Sequence, residues 1–217
     1  MRKSYLVALL VFSSSILSAQ IQKGSVLIGG QLNFSTTKNE TEDIHSKSTG
    51  GTIAISIGKA INENTVLGLN LSFSPREEKN VYRWIDTADI SYQHWSYGVF
   101  LREYKRLAKG LLLFGQGDAG YISSKQTEDY KSTPGELTYR QQGAYLSVAP
   151  GIAYQLFKKM QVELMLSNLL YLQYTVTKTE SEIAQVPNTK RNEFSFNSNL
   201  NNNSSLGGLG IGFRFVL

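Results

Sequence analysis

With 217 residues, 41% of them apolar, and a mean hydropathy of −0.21, the chain has the size of one domain and the overall balance of a soluble protein. The absence of cysteine excludes a disulfide framework, a thiolate metal site and a bacterial lipid anchor on cysteine. Twenty-two Lys and Arg against 17 Asp and Glu leave a net charge of +5, an excess too small and too dispersed to argue for nucleic acid.

The first element is a leader. Arg2 and Lys3 form a charged start, Tyr5 to Phe12 an apolar run, and Ser13, Ser14, Ser15, Ile16, Leu17, Ser18 and Ala19 a small-residue end. This is the layout of a secretory signal peptide over 1–19, with cleavage expected after Ala19. A membrane anchor helix is the alternative, but the run is shorter than the ~20 residues such a helix needs. The expected mature domain is 20–217, and losing Arg2 and Lys3 lowers its net charge to +3.

Eight alternating stretches follow. The first sets Val26, Ile28, Gly30, Leu32 and Phe34 against Ser25, Leu27, Gly29, Gln31 and Asn33; the second sets Ile53, Ile55 and Ile57 against Thr52, Ala54, Ser56 and Gly58. After a turn at 60–64, Leu67, Leu69, Leu71 and Phe73 oppose Gly68, Asn70 and Ser72. In the fourth, Trp95, Tyr97, Val99 and Leu101 oppose His94, Ser96, Gly98, Phe100 and Arg102. A turn at 108–110 leads to the fifth, apolar on both faces at Leu111 to Phe114. There Leu113, Gly115, Gly117, Ala119 and Tyr121 are assigned outward, because this turns Gln116 and Asp118 inward. The sixth has Leu146, Val148, Pro150, Ile152 and Tyr154 outward. The seventh, after Lys158 and Lys159, has Val162, Leu164, Leu166, Leu170, Leu172 and Tyr174 outward, with Glu163, Met165 and Ser167 inside. The eighth has Leu209, Ile211, Phe213, Phe215 and Leu217 outward, opposite Gly208, Gly210, Gly212 and Arg214.

The connectors alternate as well, long then short, which is how antiparallel strands closed in a membrane arrange their two rims. The predicted fold is therefore all-β: an eight-stranded antiparallel up-and-down transmembrane β-barrel. Outward aromatics gather at strand ends, as two interfacial girdles would require. The inward face is rich in Gly, Ala and Ser, which suits a narrow lumen filled by its own side chains. The last strand reaches the end of the chain, so it can pair with the first and leave no edge in lipid. Pro150 is discordant and should sit at a bulge or cost a ladder bond. A soluble sandwich or lipocalin-like barrel also alternates, but its solvated face would carry Lys and Glu. Here those charges lie in the long connectors, near 38–47, 76–89, 125–131 and 178–193.

The leader ending Leu17-Ser18-Ala19-Gln20, the Gly-rich Gly24-Ser25-Val26-Leu27-Ile28-Gly29-Gly30 and the closing Gly207-Gly208-Leu209-Gly210-Ile211-Gly212-Phe213-Arg214-Phe215 resemble small outer-membrane β-barrel-domain proteins of Bacteroidetes-type bacteria. These are similar in architecture to the membrane domain of outer-membrane protein A and to OmpX-type barrels. The resemblance implies residence in the outer membrane of a Gram-negative cell, contact with outer-membrane lipid and lipopolysaccharide, and a monomer. It also implies insertion by the barrel-assembly machinery, which in many relatives reads a final aromatic residue. Here the end is Leu217, with Phe215 two before it.

Four inward charges are candidates for a luminal site: Arg102, Asp118, Glu163 and Arg214. Arg102, Glu163 and Arg214 all fall low, near the short-turn rim, where an Arg–Glu–Arg cluster would satisfy its own charges and plug the lumen. The alternative is a gate for small solutes. His94 and Asp118 are expected at similar heights on adjacent strands, with Ser96 beside His94. That pattern admits a lipid hydrolase of the lipid A deacylase kind. Both side chains turn toward the lumen, however, so a luminal hydrogen-bond network is the preferred reading. His45 stands apart in a long connector. No metal-ligand cluster, phosphate loop or cofactor motif is present, and no cofactor is expected. The third loop carries the turn signal Ser132-Thr133-Pro134-Gly135, and the fourth an Asn/Ser-rich tract, Asn197 to Ser205, read as mobile or as weakly paired strand. The expected function is structural and interactional, through loops that bind or adhere, without enzymatic activity. A narrow solute channel and a barrel-embedded hydrolase are the rivals. No added periplasmic domain for peptidoglycan is expected.

Overall fold

A computed structural model describes residues 21–40, 44–82, 88–131, 135–166, 169–183, 187–198 and 209–217. The predicted leader lies outside them. The alternating stretches form ten strands: β1 (Val26–Glu40), β2 (Ile44–Ala60), β3 (Thr65–Tyr82), β4 (Ala88–Ala108), β5 (Leu111–Tyr130), β6 (Glu136–Phe157), β7 (Met160–Leu166), β8 (Leu170–Ser181), β9 (Thr189–Ser198) and β10 (Leu209–Val216). β7 and β8 are two segments of the seventh barrel strand, and β9 and β10 are two segments of the eighth. Every pairing is antiparallel. β6 pairs β7, β7 pairs β10, and β10 returns to β1 with Leu27 opposite Val216, which closes an eight-stranded barrel.

Closure is completed at the short-turn rim, where Leu217 N donates to Val26 O at 2.8 Å and Val26 N to Leu217 O at 3.1 Å. Two of the tight turns there have visible local causes. Asn62 Oδ1 accepts from the Asn64 and Thr65 backbone N–H groups at 2.8 and 2.7 Å, and Gly110 adopts φ +77°, a conformation glycine takes without penalty.

The assigned parity holds through the barrel. Ile55, Leu69, Tyr97, Val99, Leu146 and Phe213 lie exposed on the outer wall, while Leu27, Phe100, Arg102, Gln116, Ser147, Glu163 and Arg214 are buried inside. An apolar exterior over a polar interior is stable only when lipid covers the outside. Pro150 sits where β6 changes partner: Val148 is opposite Leu170 of β8, and Gly151 is opposite Met165 of β7. The residue without an N–H thus occupies an irregularity in the ladder, as expected.

The long connectors differ from expectation. They are largely strand, with β1 and β2 paired out to Glu40–His45, β3 and β4 to Asn80–Ala88, β5 and β6 to Asp129–Glu136, and β8 and β9 to Thr179–Thr189. His45 therefore lies in β2. Above the bilayer both faces meet water, so the apolar alternation that marks a strand fades while the backbone ladder continues. Residues 132–134 of the third turn signal and 199–205 of the Asn/Ser tract lie outside the described residues, as do Ser167 and Gly208, both assigned inward; Asn197 and Ser198 belong to β9.

Candidate functional site

The site is the lumen, built from its floor upward. At the short-turn end Leu27, Val66, Phe100, Tyr104, Phe114 and Ala153 pack into one apolar cluster, joined by Ile21 and Ala60. This floor follows from parity: Phe100 and Tyr104 share the face of Arg102, and Phe114 that of Gln116. The stretch Leu111 to Phe114 is apolar on both faces because one face meets lipid and the other meets this cluster. Sequence reasoning missed the floor, although that two-faced run was its signal.

On the floor rests the charged layer. Glu163 Oε1 accepts from Arg102 Nη1 at 2.6 Å and from Arg214 Nε at 2.7 Å, and Oε2 accepts from Arg214 Nη2 at 3.3 Å. Arg102 also donates from Nε to Gln116 Oε1 at 2.7 Å and from Nη1 to the Tyr104 hydroxyl at 3.1 Å. Its guanidinium carbon stands 4.1 Å from the Phe114 ring centroid, where the negative ring face supports a desolvated cation. The three ionic side chains come from β4, β7 and β10: the Arg214–Glu163 bonds join neighbouring strands, and the Arg102–Glu163 bond crosses the lumen. Gly29 makes the room: a Cβ there would stand 3.0 Å from Arg214 Cζ.

Asp118 joins this layer through Gln116, whose Nε2 donates to Asp118 Oδ1 at 2.8 Å. Asn70 Nδ2 donates to the same oxygen at 2.6 Å, and Ser147 Oγ to Oδ2 at 3.4 Å. Two arginines and two carboxyl groups thus meet in one hydrogen-bonded network. His94 lies elsewhere. It is opposite Ser124 in register, whereas Asp118 is opposite Phe100. Six residues along β5 therefore separate Asp118 from the level of His94, about 20 Å at strand rise. The expected common height is wrong, because the two-residue turn after Ala108 fixes a register that parity alone does not reveal. His94 Nδ1 bonds Ser124 Oγ at 2.7 Å, and Ser96 Oγ bonds Ser72 Oγ at 2.7 Å. The histidine of the hydrolase reading is thus engaged with Ser124, apart from the partners of Ser96 and Asp118.

Above the charged layer the lumen is hollow. A cavity of about 610 Å³ extends from Arg214 past Asp118 and Ser96 to His94, with Tyr145 and Tyr171 stacked on its wall at 5.8 Å between centroids. Self-filling by side chains, expected along the whole lumen, applies to its lower part. The Gly, Ala and Ser residues higher up are too small to meet across the bore. Among the described residues no group of three or more His, Asp or Glu gathers as a metal site.

An apolar belt outside, a polar lumen inside and a closed antiparallel ring define a transmembrane β-barrel of the outer membrane. Residues 4–215 match the family described as outer membrane protein beta-barrel domain, and the chain belongs to that family. No curated protein matches it. Among solved structures it is similar to the outer membrane protein OprG from Pseudomonas aeruginosa, at 12% identity over 90% of this chain and 97% of that one, with a TM-score of 0.51. A major outer membrane protein from Thermus thermophilus aligns at 11% identity over 88% and 99% of the two chains, with a TM-score of 0.49. The outer membrane protease OmpT from Escherichia coli aligns at 12% identity over 89% and 91%, with a TM-score of 0.39. At these identities the likeness concerns the fold alone.

Proposed function

We propose that the protein is a small outer-membrane scaffold that holds four β-hairpins at the cell surface as binding elements, with its short turns facing the periplasm. One observation carries this reading: Arg102, Glu163 and Arg214 close over an apolar floor at the short-turn end, while every long connector is a paired, projecting hairpin. A solute entering the cavity from the hairpin side meets a floor, whereas a ligand on the hairpins meets a rigid, solvated edge. Insertion by the barrel-assembly machinery, through the apolar alternation ending in Phe213, Phe215 and Leu217, belongs to the same reading.

The hollow upper lumen favours a second reading, a narrow channel gated at the charged layer. Planar-bilayer recordings on the refolded protein separate the two. The scaffold reading expects a silent membrane, and steady unitary conductance in wild type would replace it with the channel. Orientation is tested by one engineered cysteine at the exposed Lys131 of the cysteine-free chain, labelled on intact cells with an impermeant maleimide. Labelling only after lysis would reverse the assigned sidedness.

A further inference from the structure

The register places four cations side by side on the outer face of four adjacent strands, half of the barrel's eight. Lys125 of β5 is opposite Arg140 of β6, Arg140 is opposite Lys178 of β8, and Lys178 is opposite Lys190 of β9. All four side chains are exposed. Like charges directly opposite one another destabilise a sheet, so four in an unbroken row work against folding unless something outside the chain neutralises them. One acidic group answers them: Glu180 Oε2 lies 3.1 Å from Arg140 Nε. Among the described residues, Lys125, Lys178 and Lys190 have no acidic partner.

The height of the row supplies the rest of the argument. Four residues nearer the barrel, the same strands carry Tyr121, Ala144, Tyr174 and Phe194 in register, a row with aromatic rings on three of its four strands, of the kind that marks a membrane interface. Between the two rows lies an uncharged one, Ser123, Gln142, Val176 and Asn192. Each cation thus stands about 13 Å along its strand above the lower row, or about 10 Å vertically at the usual barrel tilt, and the same tilt steps the four by about 3 Å in height from strand to strand. Long side chains there reach down while their stems cover the strand surface. A row of four adjacent strands is about 14 Å wide, wide enough for several anionic groups at once. Phosphates on a glycolipid headgroup would meet it at that height.

We propose that Lys125, Arg140, Lys178 and Lys190 form a docking surface for the phosphorylated sugar headgroup of an outer-leaflet glycolipid. This rests on the hairpins facing the cell exterior; the test below is performed in detergent, so it succeeds or fails independently of that sidedness and of conductance. Refolded full-length protein is titrated with lipid A and with dephosphorylated lipid A in neutral detergent, and binding is read by native mass spectrometry. The same titrations are run on Lys125→Gln/Arg140→Gln/Lys178→Gln/Lys190→Gln and on a control, Lys158→Gln/Lys159→Gln, at the opposite rim. Wild type and control should prefer the phosphorylated lipid by about tenfold or more, weakening as salt is raised, and the quadruple variant should lose that preference. Without lipid the quadruple variant should be at least as resistant to urea as wild type, since its like-charge repulsion is gone. No preference in wild type, a preference retained by the quadruple variant, or an equal loss in the control overturns the proposal. Full competition by millimolar inorganic phosphate does so too, by showing a simple anion site.

Discussion

Replacing Glu163 by Ala leaves Arg102 and Arg214 facing each other with no counter-charge. Both guanidinium groups are buried, their side chains 2% and 4% exposed, and both donate to the same carboxylate oxygen at 2.6 and 2.7 Å. The two donor nitrogens are therefore no more than about 5 Å apart. At that separation two unit charges repel by about 3 kcal/mol at an effective dielectric constant of 20. Loss of the hydrogen bonds acts in the same direction, and breaking a buried ionic set by removing one partner costs about 3–5 kcal/mol. The expected result is an unfolding free energy lowered by that amount in refolded protein, read as a lower urea midpoint by tryptophan fluorescence and by heat-modifiable gel mobility. Glu163→Gln, which keeps the volume and part of the hydrogen bonding, should fall between. Adding Arg102→Met to Glu163→Ala should recover part of the loss, because it removes one of the two opposed charges. A stable, non-conducting Glu163→Ala protein would refute the coupling of the three residues. A stable, conducting one would favour the gated channel.

Three further outcomes are expected. Leu69, 59% exposed on the outer wall, should cost about 2–4 kcal/mol when changed to Arg if it faces the bilayer midplane, and an effect near zero in urea titrations would place it outside the lipid. Phe100, 1% exposed in the floor, should cost about 3–5 kcal/mol on truncation to Ala, and the same variant should show whether the floor blocks ions in planar bilayers. Purified wild type should leave lipid A and phospholipid intact and be indistinguishable from Ser96→Ala, because Ser96 bonds Ser72 rather than His94; turnover abolished by both Ser96→Ala and His94→Ala would contradict this.

Much of the candidate site was legible one residue at a time. The two-residue side-chain period decides which wall a side chain joins, and it turned Arg102, Gln116, Asp118, Glu163 and Arg214 inward without any knowledge of neighbours. Reading the turn at 108–110 as a register would also have separated Asp118 from His94, since each residue's partner is set by counting from a tight turn. What could not be counted was the meeting of Arg102 with Glu163 and Arg214. They lie 61 and 112 positions apart in the chain, and their contact depends on closure and stagger of the whole ring.

The chain itself therefore determined class, strand number, parity, tight turns and the aromatic bands, because each follows from a local period or from a lipid boundary acting on every strand alike. Tertiary structure alone decided three things. It set how far the hairpins continue beyond the membrane, where water on both faces erases the alternation and only backbone pairing persists. It divided the lumen into a packed floor and an open cup, because the room left for each side chain depends on what projects from the opposite wall. It also aligned Lys125, Arg140, Lys178 and Lys190, whose adjacency is a property of register across four strands and of no segment taken alone.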